Sequence, residues 1–144
     1  TPDGRTSEDM PALSPDGHWL AYWSDESGDG DVFVRRFPEG TEKQQLSLEG
    51  GDFPFWSPEG DALYYWRQGA LIEVPVCFAP SLTFGAPHAL FTAGDAGIEL
   101  ASGYRKPPVV AATGGRFLAV RRAPGDPMNG VLVVENWFEE FRKR

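Results

Sequence analysis

The chain has 144 residues, of which 41% are hydrophobic and 13% aromatic, which excludes a disordered polar segment and is enough for one globular core. Its formal net charge of -8 argues against unspecific binding to nucleic acid or to an anionic membrane surface, since both need clustered Lys and Arg. No apolar run approaches the roughly 18 residues that span a bilayer. The start at Thr1, without a Met or a signal-peptide pattern, is what we expect of an excised or processed piece.

The first predicted unit covers about residues 8–49 and is organised around the turn Ser14-Pro15-Asp16-Gly17. Pro presets φ at the second position of a type I turn, and Gly accepts the fourth. The run 19–23 that follows lacks polar alternation, so we expect a strand that is covered on both faces. Further short strands are predicted over 32–34 and 45–48.

The second predicted unit covers about residues 50–93 and repeats the first. Ser57-Pro58-Glu59-Gly60 follows the first turn by 43 residues, and Asp52 follows Asp9 by the same distance along the chain. Strands are predicted over 61–66, 71–74 and 89–92. The single Cys77 excludes an intramolecular disulfide, and we expect it to be buried as a small hydrophobic side chain.

The third predicted unit covers about residues 105–137 and lacks the Ser-Pro-Asp/Glu-Gly sequence, although strands over 116–120 and 131–134 are predicted there. A long connection over 94–108 precedes it. Residues 137–142 have apolar side chains at helical spacing and a basic end, which predicts a short amphipathic helix, and a tail over 138–144 completes the chain.

A repeat of 43 residues with about four short strands is typical of a propeller blade. The sequence therefore predicts an all-β fold, a partial β-propeller of about three four-stranded blades with a short C-terminal helix. A β-sandwich is the alternative, but it does not predict this repeat. Since three blades cannot close a ring, we expect the chain to associate with another copy to complete the propeller.

The repeat resembles the TolB-like propellers related to WD repeats, whose blades carry a Trp-Ser-Pro-Asp-Gly turn followed by a short aromatic strand. The matching residues are Trp56-Ser57-Pro58-Glu59-Gly60, Leu13-Ser14-Pro15-Asp16-Gly17, and Ser24-Asp25-Glu26-Ser27-Gly28 leading to Asp31-Val32-Phe33-Val34. Residues 133–140 resemble the end of propeller regions at the C-terminus of some bacterial serine/threonine protein kinases. The resemblance implies a propeller fold and a location outside the cytoplasm, in the periplasm.

Four residues are candidates for ligand binding. The loop that enters the innermost strand of a blade opens at the mouth of the central channel, so Asp9 and Asp52 would occupy equivalent positions there. Tyr104 and Arg105 lie in the long connection before the third unit, and connections of that length frequently carry function. A solvated loop is the structural alternative for each of the four.

The loop over 25–31 has four acidic residues in seven, and oxygen-rich loops of this kind can hold calcium. Asp25, Asp29 and Asp31 are therefore an alternative metal site, although a solvated hairpin loop without the EF-hand spacing is the favoured interpretation. We predict no other metal site, no cofactor and no catalytic residue. Ser102 lacks the Gly-x-Ser-x-Gly elbow of hydrolases, and kinase signatures do not occur.

These patterns favour a noncatalytic β-propeller module that binds a protein, a peptide or a small ligand, as the sensory or scaffold part of a larger regulatory protein. The alternative is an accessory propeller of a prolyl-oligopeptidase-type hydrolase whose catalytic domain is absent. A glycosidase is disfavoured because the turn at Ser14 is two residues short of the Asp-box of sialidase-type propellers. The expected partner is a protein or peptide, with neither nucleic acid binding nor membrane insertion.

Overall fold

The computed structural model describes residues 6–78, 81–96, 109–112, 116–121 and 130–134. Short antiparallel strands in these ranges form three sheets that follow one another along the chain. The first strand of each sheet lies against the first strand of the neighbouring sheet, and we call these the inner strands. The second and third strands follow as antiparallel neighbours in chain order. The predicted all-β class is confirmed.

The first sheet has the order β1-β2-β3-β4. Its strands are β1 (Glu8–Leu13), β2 (Trp19–Ser24), β3 (Asp31–Arg36) and β4 (Gln44–Gln45). The strand predicted over 45–48 is therefore misplaced and too long. The chain leaves the sheet after Gln45 because the Ser47 hydroxyl turns inward to the Asp31 carboxylate at 2.7 Å, and Leu48 is left exposed on a turn.

The second sheet has five strands instead of the expected four. They are β5 (Asp52–Trp56), β6 (Ala62–Arg67), β7 (Ala70–Cys77), β8 (Thr83–Phe84) and β9 (His88–Thr92). β7 is long enough for two partners, so β9 pairs with its first half and β8 pairs with its last residues. A single helical turn, α1 (Ala93–Ala96), follows β9.

The third sheet shows three strands within the described residues, in the order β10-β11-β12. These are β10 (Val109–Ala112), β11 (Arg116–Arg121) and β12 (Gly130–Val134). The strands predicted over 116–120 and 131–134 are confirmed. The helix predicted over 137–142 lies outside the described residues and stays a prediction.

The Ser-Pro-Asp/Glu-Gly sequences form the hairpin turns between the first two strands of each of the first two sheets. The Gly17 amide donates to the Ser14 carbonyl at 2.9 Å, and Gly17 has a φ of 76°, which a residue with a Cβ rarely adopts. The buried Ser14 Oγ accepts from the Trp19 amide at 2.9 Å. Ser57 Oγ does the same for the Ala62 amide at 3.1 Å, so both serines cap the start of the next strand.

An acidic residue within the first turn, and one directly after the second turn, is a structural partner of the serine. Ser14 Oγ donates to the Asp16 carboxylate, and Ser57 Oγ donates to Asp61 Oδ1 at 2.7 Å. Partial burial would raise the pKa of Asp16, but hydrogen bonds from Ser14 and from the His18 amide outweigh it and hold the pKa below its ordinary value. In the second turn the acid that bonds the serine stands after the glycine, two places later than in the first.

The core consists of two apolar layers, one on each side of the second sheet. Leu63 and Tyr65 of β6 pack against the first sheet, whereas Tyr64 and Trp66 pack in the layer that contains Phe117 of the third sheet. Alternate side chains of a strand point to opposite faces, so β6 is apolar throughout because both of its faces are covered. This confirms the prediction of strands without polar alternation.

Cys77 is exposed, so the prediction that it is buried is wrong. β7 alternates between inward and outward side chains at its end: Val74 and Val76 are buried, and Pro75 and Cys77 are exposed. The apolar run around Cys77 concealed this alternation because Pro75, although apolar, points outward.

Candidate functional site

The inner strands β1 and β5 carry the same irregularity at the same position. The register of β1 against β2 shifts after Asp9, and Met10 has a φ of 55°. The register of β5 against β6 shifts after Asp52, and Phe53 has a φ of 51°. Each β-bulge therefore places a residue with a side chain in the left-handed region directly after an aspartate.

This backbone is strained in both copies. A non-glycine residue in the left-handed region costs on the order of 1 kcal/mol. Met10 and Phe53 each precede a proline, Pro11 and Pro54, which favours extended backbone in the preceding residue. Bulges are over-represented next to functional sites, where they redirect a side chain. The repeated Asp-x-Pro sequence was the available signal for this feature, and our sequence analysis missed it.

Asp9 and Asp52 lie at the same end of adjacent strands. β1 packs against β5, and β10 packs against β5, as the inner strands of neighbouring blades do around a channel. Asp9 is paired with Trp23 and Asp52 with Trp66, near the ends of β2 and β6. Both aspartates are therefore distant from the Ser-Pro-Asp/Glu-Gly turns, which lie at the opposite end of the sheets.

Two loops add acidic side chains at the end where Asp9 and Asp52 lie. Asp29 is exposed in the loop between β2 and β3, and Glu49 is exposed in the loop between β4 and β5. The Gly51 amide donates to the Gly30 carbonyl at 3.2 Å, which holds the two loops together. We refer to Asp9, Asp29, Glu49 and Asp52 as the acidic mouth.

The two aspartates of the inner strands differ in their surroundings. Asp9 Oδ1 accepts from the Met10 amide at 2.8 Å, which stabilises the bulge. Asp52 is exposed by surface area and accepts no hydrogen bond from the described residues. Partial desolvation by the neighbouring protein raises the pKa of its carboxyl above the ordinary value. Arg67 forms an ion pair with Glu49 at 3.2 Å. The carboxylates of Asp9 and Asp52 are not paired with a cation of the described residues, so a positively charged group could bind them.

Asp31, one of the predicted metal ligands, is instead the centre of a buried hydrogen-bond network. Its Oδ1 accepts from Ser47 Oγ at 2.7 Å and from the Gly50 amide at 3.0 Å. Its Oδ2 accepts from Ser27 Oγ at 2.6 Å and from Gln45 Nε2 at 3.0 Å. The carboxylate thus joins the start of β3 to three neighbouring segments and has its acceptor positions filled by protein donors.

The structure does not bring the three candidate metal ligands together. Asp25 Oδ1 accepts from the Ser7 amide at 2.7 Å, and Asp29 points to solvent. Within the described residues, no group of three or more His, Cys, Asp or Glu side chains could hold a metal ion. The loop over 25–31 is a hairpin loop that is held by Asp31.

Tyr104 and Arg105, the other two predicted ligand-binding residues, lie outside the described residues and stay a prediction. The acidic mouth is thus defined by Asp9 and Asp52 and by the two loop acids that sequence analysis did not select. No helix in the described part of the chain is long and apolar enough to cross a membrane.

Comparison with solved structures identifies the type of fold. No protein-family model matches the chain, and no curated protein is similar to it. Among solved structures, TolB from Acinetobacter baumannii is similar with a TM-score of 0.50 and 14% sequence identity, over 87% of this chain. The predicted partial β-propeller with a TolB-like fold is confirmed. The chain spans 31% of the length of that TolB chain, and the resemblance of residues 133–140 to kinase-associated propellers stays a prediction.

Proposed function

We propose that this chain is a noncatalytic propeller module that binds a protein or peptide partner, as the sensory or scaffold part of a larger protein outside the cytoplasm. The partner binds through basic groups at the acidic mouth. The observation that carries this proposal is the duplicated Asp-bulge, in which Asp9 and Asp52 stand before the strained residues Met10 and Phe53 on adjacent inner strands.

Duplication makes a purely local explanation of the bulge insufficient. A strained residue persists only where the surrounding structure over-determines it, and such residues cluster at binding and catalytic sites. Here the same strain recurs after 43 residues, in each case next to an exposed aspartate at the same end of an inner strand. Two carboxylates on neighbouring strands suit a ligand with two positive charges, such as a peptide with consecutive Lys or Arg.

Electrostatics favour the same class of partner. The chain carries a net charge of -8, so its field attracts cationic partners. Asp52 has no cationic partner among the described residues, and desolvation raises its pKa. Its charged form would gain favourable interactions when a cation binds beside it. We therefore expect ligand binding to lower the raised pKa of Asp52 and to release a proton from this carboxyl in the acidic range where it titrates.

The test compares binding of a fluorescent peptide that contains consecutive arginines with binding of its glutamate counterpart, by fluorescence anisotropy at low and high salt. We expect the basic peptide to bind and added salt to weaken it. The double variant Asp9→Asn and Asp52→Asn should bind at least about tenfold more weakly, since two charge-assisted contacts are lost.

Glu59→Gln is the matched control, because Glu59 is an exposed acid at the opposite end of the second sheet. It removes one negative charge and should leave peptide binding within about twofold of the parent chain. Equal affinity of the parent chain and the double aspartate variant would exclude the acidic mouth as the binding surface.

A further inference from the structure

The two aspartates of the inner strands each stand opposite a tryptophan. Asp9 is paired with Trp23, and Asp52 is paired with Trp66. Directly opposite residues of an antiparallel pair place their side chains on the same face of the sheet, with Cβ atoms about 4.5 to 5.5 Å apart. Each repeat therefore sets a carboxylate beside an indole ring at the end of the sheets where the acidic mouth lies.

Trp23 lies on the side of the first sheet that faces the second sheet. Trp19 and Ala21 of β2 belong to the apolar layer between these two sheets, and the register of β2 against β3 is regular along the whole strand. Alternate residues of a strand share a face, so Trp23 points to the same side as Trp19 and Ala21. Asp9 and Trp23 thus lie on the side where β5 packs against β1.

The two indole rings differ in how they are covered. Trp66 is 3% exposed, and the Phe91 ring packs edge-on against it with centroids 6.1 Å apart, in the apolar layer that also contains Phe117. Trp66 Nε1 is buried without a hydrogen bond. Trp23 is only half-buried. The first repeat therefore leaves accessible part of an aromatic ring that the second repeat covers.

Gly30 fixes the position of Trp23. A Cβ at Gly30 would lie 2.7 Å from Nε1 and from Cζ2 of Trp23, which is closer than a side chain can approach, so this contact requires glycine. The Gly30 carbonyl accepts from the Gly51 amide at 3.2 Å, which ties the contact to the loop before β5. The Nε1 edge of the indole thus packs on backbone, and this contact holds the ring in place beside Asp9.

The bulge in β1 orients the Asp9 carboxylate. Oδ1 accepts from the amide of Met10, the residue with a φ of 55°, at 2.8 Å. Oδ2 accepts no hydrogen bond from the described residues. The strained residue therefore supplies the donor that holds one oxygen and leaves the other oxygen available. The carboxylate has a fixed orientation before any ligand arrives, which reduces the entropy lost on binding.

An accessible indole next to a free carboxylate oxygen suits a planar cation. Cations are attracted to the face of an aromatic ring, and a guanidinium forms this contact more often than an ammonium. A guanidinium is planar and weakly hydrated, so it can stack on the ring while its N–H groups donate to the carboxylate. The chain already contains such an arrangement, because the Arg36 guanidinium lies 5.4 Å from the centre of the Trp19 ring and pairs with Glu42 at 3.7 Å.

We propose that Asp9 and Trp23 form a subsite for one arginine side chain of the partner, and that Trp23 makes the acidic mouth select arginine over lysine. This inference rests on the proposed function, since the arginine is one of the basic groups that the mouth binds. The guanidinium stacks on the Trp23 ring and donates to Asp9 Oδ2. Asp52 does not discriminate between the two cations, because the indole beside it is covered.

The test uses two fluorescent peptides that differ only in having arginine or lysine at every basic position, with binding measured by fluorescence anisotropy. Both peptides carry the same charge, so attraction by acidic side chains alone would bind them equally. The parent chain should bind the arginine peptide roughly fivefold more tightly, and Trp23→Leu should bind the two within about twofold of each other. Phe37→Leu is the matched control, because Phe37 is a 41% exposed aromatic residue at the opposite end of the first sheet, and it should keep the ratio of the parent chain.

Tryptophan emission is a second readout, which decides if Trp23→Leu fails to fold. The other tryptophans of the described residues are at most 8% exposed, namely Trp19, Trp56 and Trp66. Binding of the arginine peptide should therefore shift the emission of the parent chain and of Phe37→Leu through Trp23. The shift should be largely lost in Trp23→Phe, which keeps an aromatic ring at this position and so preserves the packing.

Equal affinities of the two peptides for the parent chain overturn the subsite and leave the proposed function intact. The subsite is also overturned if Trp23→Leu keeps the ratio of the parent chain, or if Trp23→Phe keeps the emission shift. If neither peptide binds to the parent chain, the acidic mouth has no basic ligand, and the proposed function fails together with the subsite.

Discussion

Replacing the buried Asp31 with alanine should destabilise the chain strongly, although Asp31 belongs to the loop that looked like a calcium site. Two of its donors would lose their acceptor, namely the hydroxyl of Ser47, which is 1% exposed, and the Gly50 amide, which donates to the same oxygen. A buried donor left without an acceptor costs about 1 to 3 kcal/mol. We therefore expect Asp31→Ala to lower the free energy of unfolding by about 3 kcal/mol.

The assay is urea denaturation followed by tryptophan fluorescence, with far-ultraviolet circular dichroism as a second probe. Asp31→Asn should cost only about 1 kcal/mol, because its amide oxygen can still accept from Ser47 and Gly50. Asp29→Ala removes an exposed acid from the same loop and should change stability by less than about 0.5 kcal/mol.

Two results would refute this reasoning. If Asp31→Ala unfolds within about 0.5 kcal/mol of the parent chain, the network does not stabilise the first sheet. If millimolar calcium raises the stability of the parent chain but not that of Asp31→Ala, the loop is a metal site after all.

Three further predictions concern the turns, the sheet interface and the acidic mouth. Gly30→Ala should lower the free energy of unfolding, measured by thermal denaturation, by about 3 kcal/mol, because its Cβ would lie 2.7 Å from Trp23 at a φ of 81°. The Cβ of the control Gly28→Ala meets no atom within 4 Å, so this variant should lose about 1 kcal/mol. Equal losses would contradict the packing argument. Trp56→Phe removes a 3.0 Å hydrogen bond to a carbonyl of β1, so urea denaturation should show a loss of about 1 kcal/mol, and an unchanged midpoint would remove this bond from the interface. The raised pKa of Asp52 means that the folded chain holds this proton more tightly than the unfolded chain, so stability falls as pH rises from the ordinary pKa of an Asp carboxyl through the raised pKa of the folded chain. Asp52→Asn should therefore raise Tm at pH 7 and not at pH 3. A Tm difference that is independent of pH would count against this argument.

Much of the fold was predictable because the relevant signals are local. The type I turns at Ser14 and Ser57 depend on a few adjacent residues, and the absence of polar alternation in 61–66 reflects burial on both faces. The paired strands follow from the turns. By contrast, the exposure of Cys77 and the early end of β4 depend on which atoms lie across the sheet, and the local sequence does not contain that information.

The candidate site was predictable only in part. Asp9 and Asp52 were selected because the repeat makes them equivalent, and the structure places both at bulges on adjacent strands. The role of Asp31 was not predictable, because its donors come from residues that are distant along the chain, such as Gly50. An acidic loop whose carboxylates accept hydrogen bonds from the protein and one whose carboxylates bind a cation have the same composition.

The sequence by itself determined the repeat, the hairpin turns and the all-β class, since turn chemistry and two-sided burial act over a few residues. Only the tertiary structure decided how the repeated positions differ. Leu20 and Leu63 are equivalent in the repeat, yet Leu63 is fully buried against another sheet and Leu20 is only half-buried. The reason is that a blade buries its faces on its neighbours, so the environment of each residue depends on which sheet stands beside it.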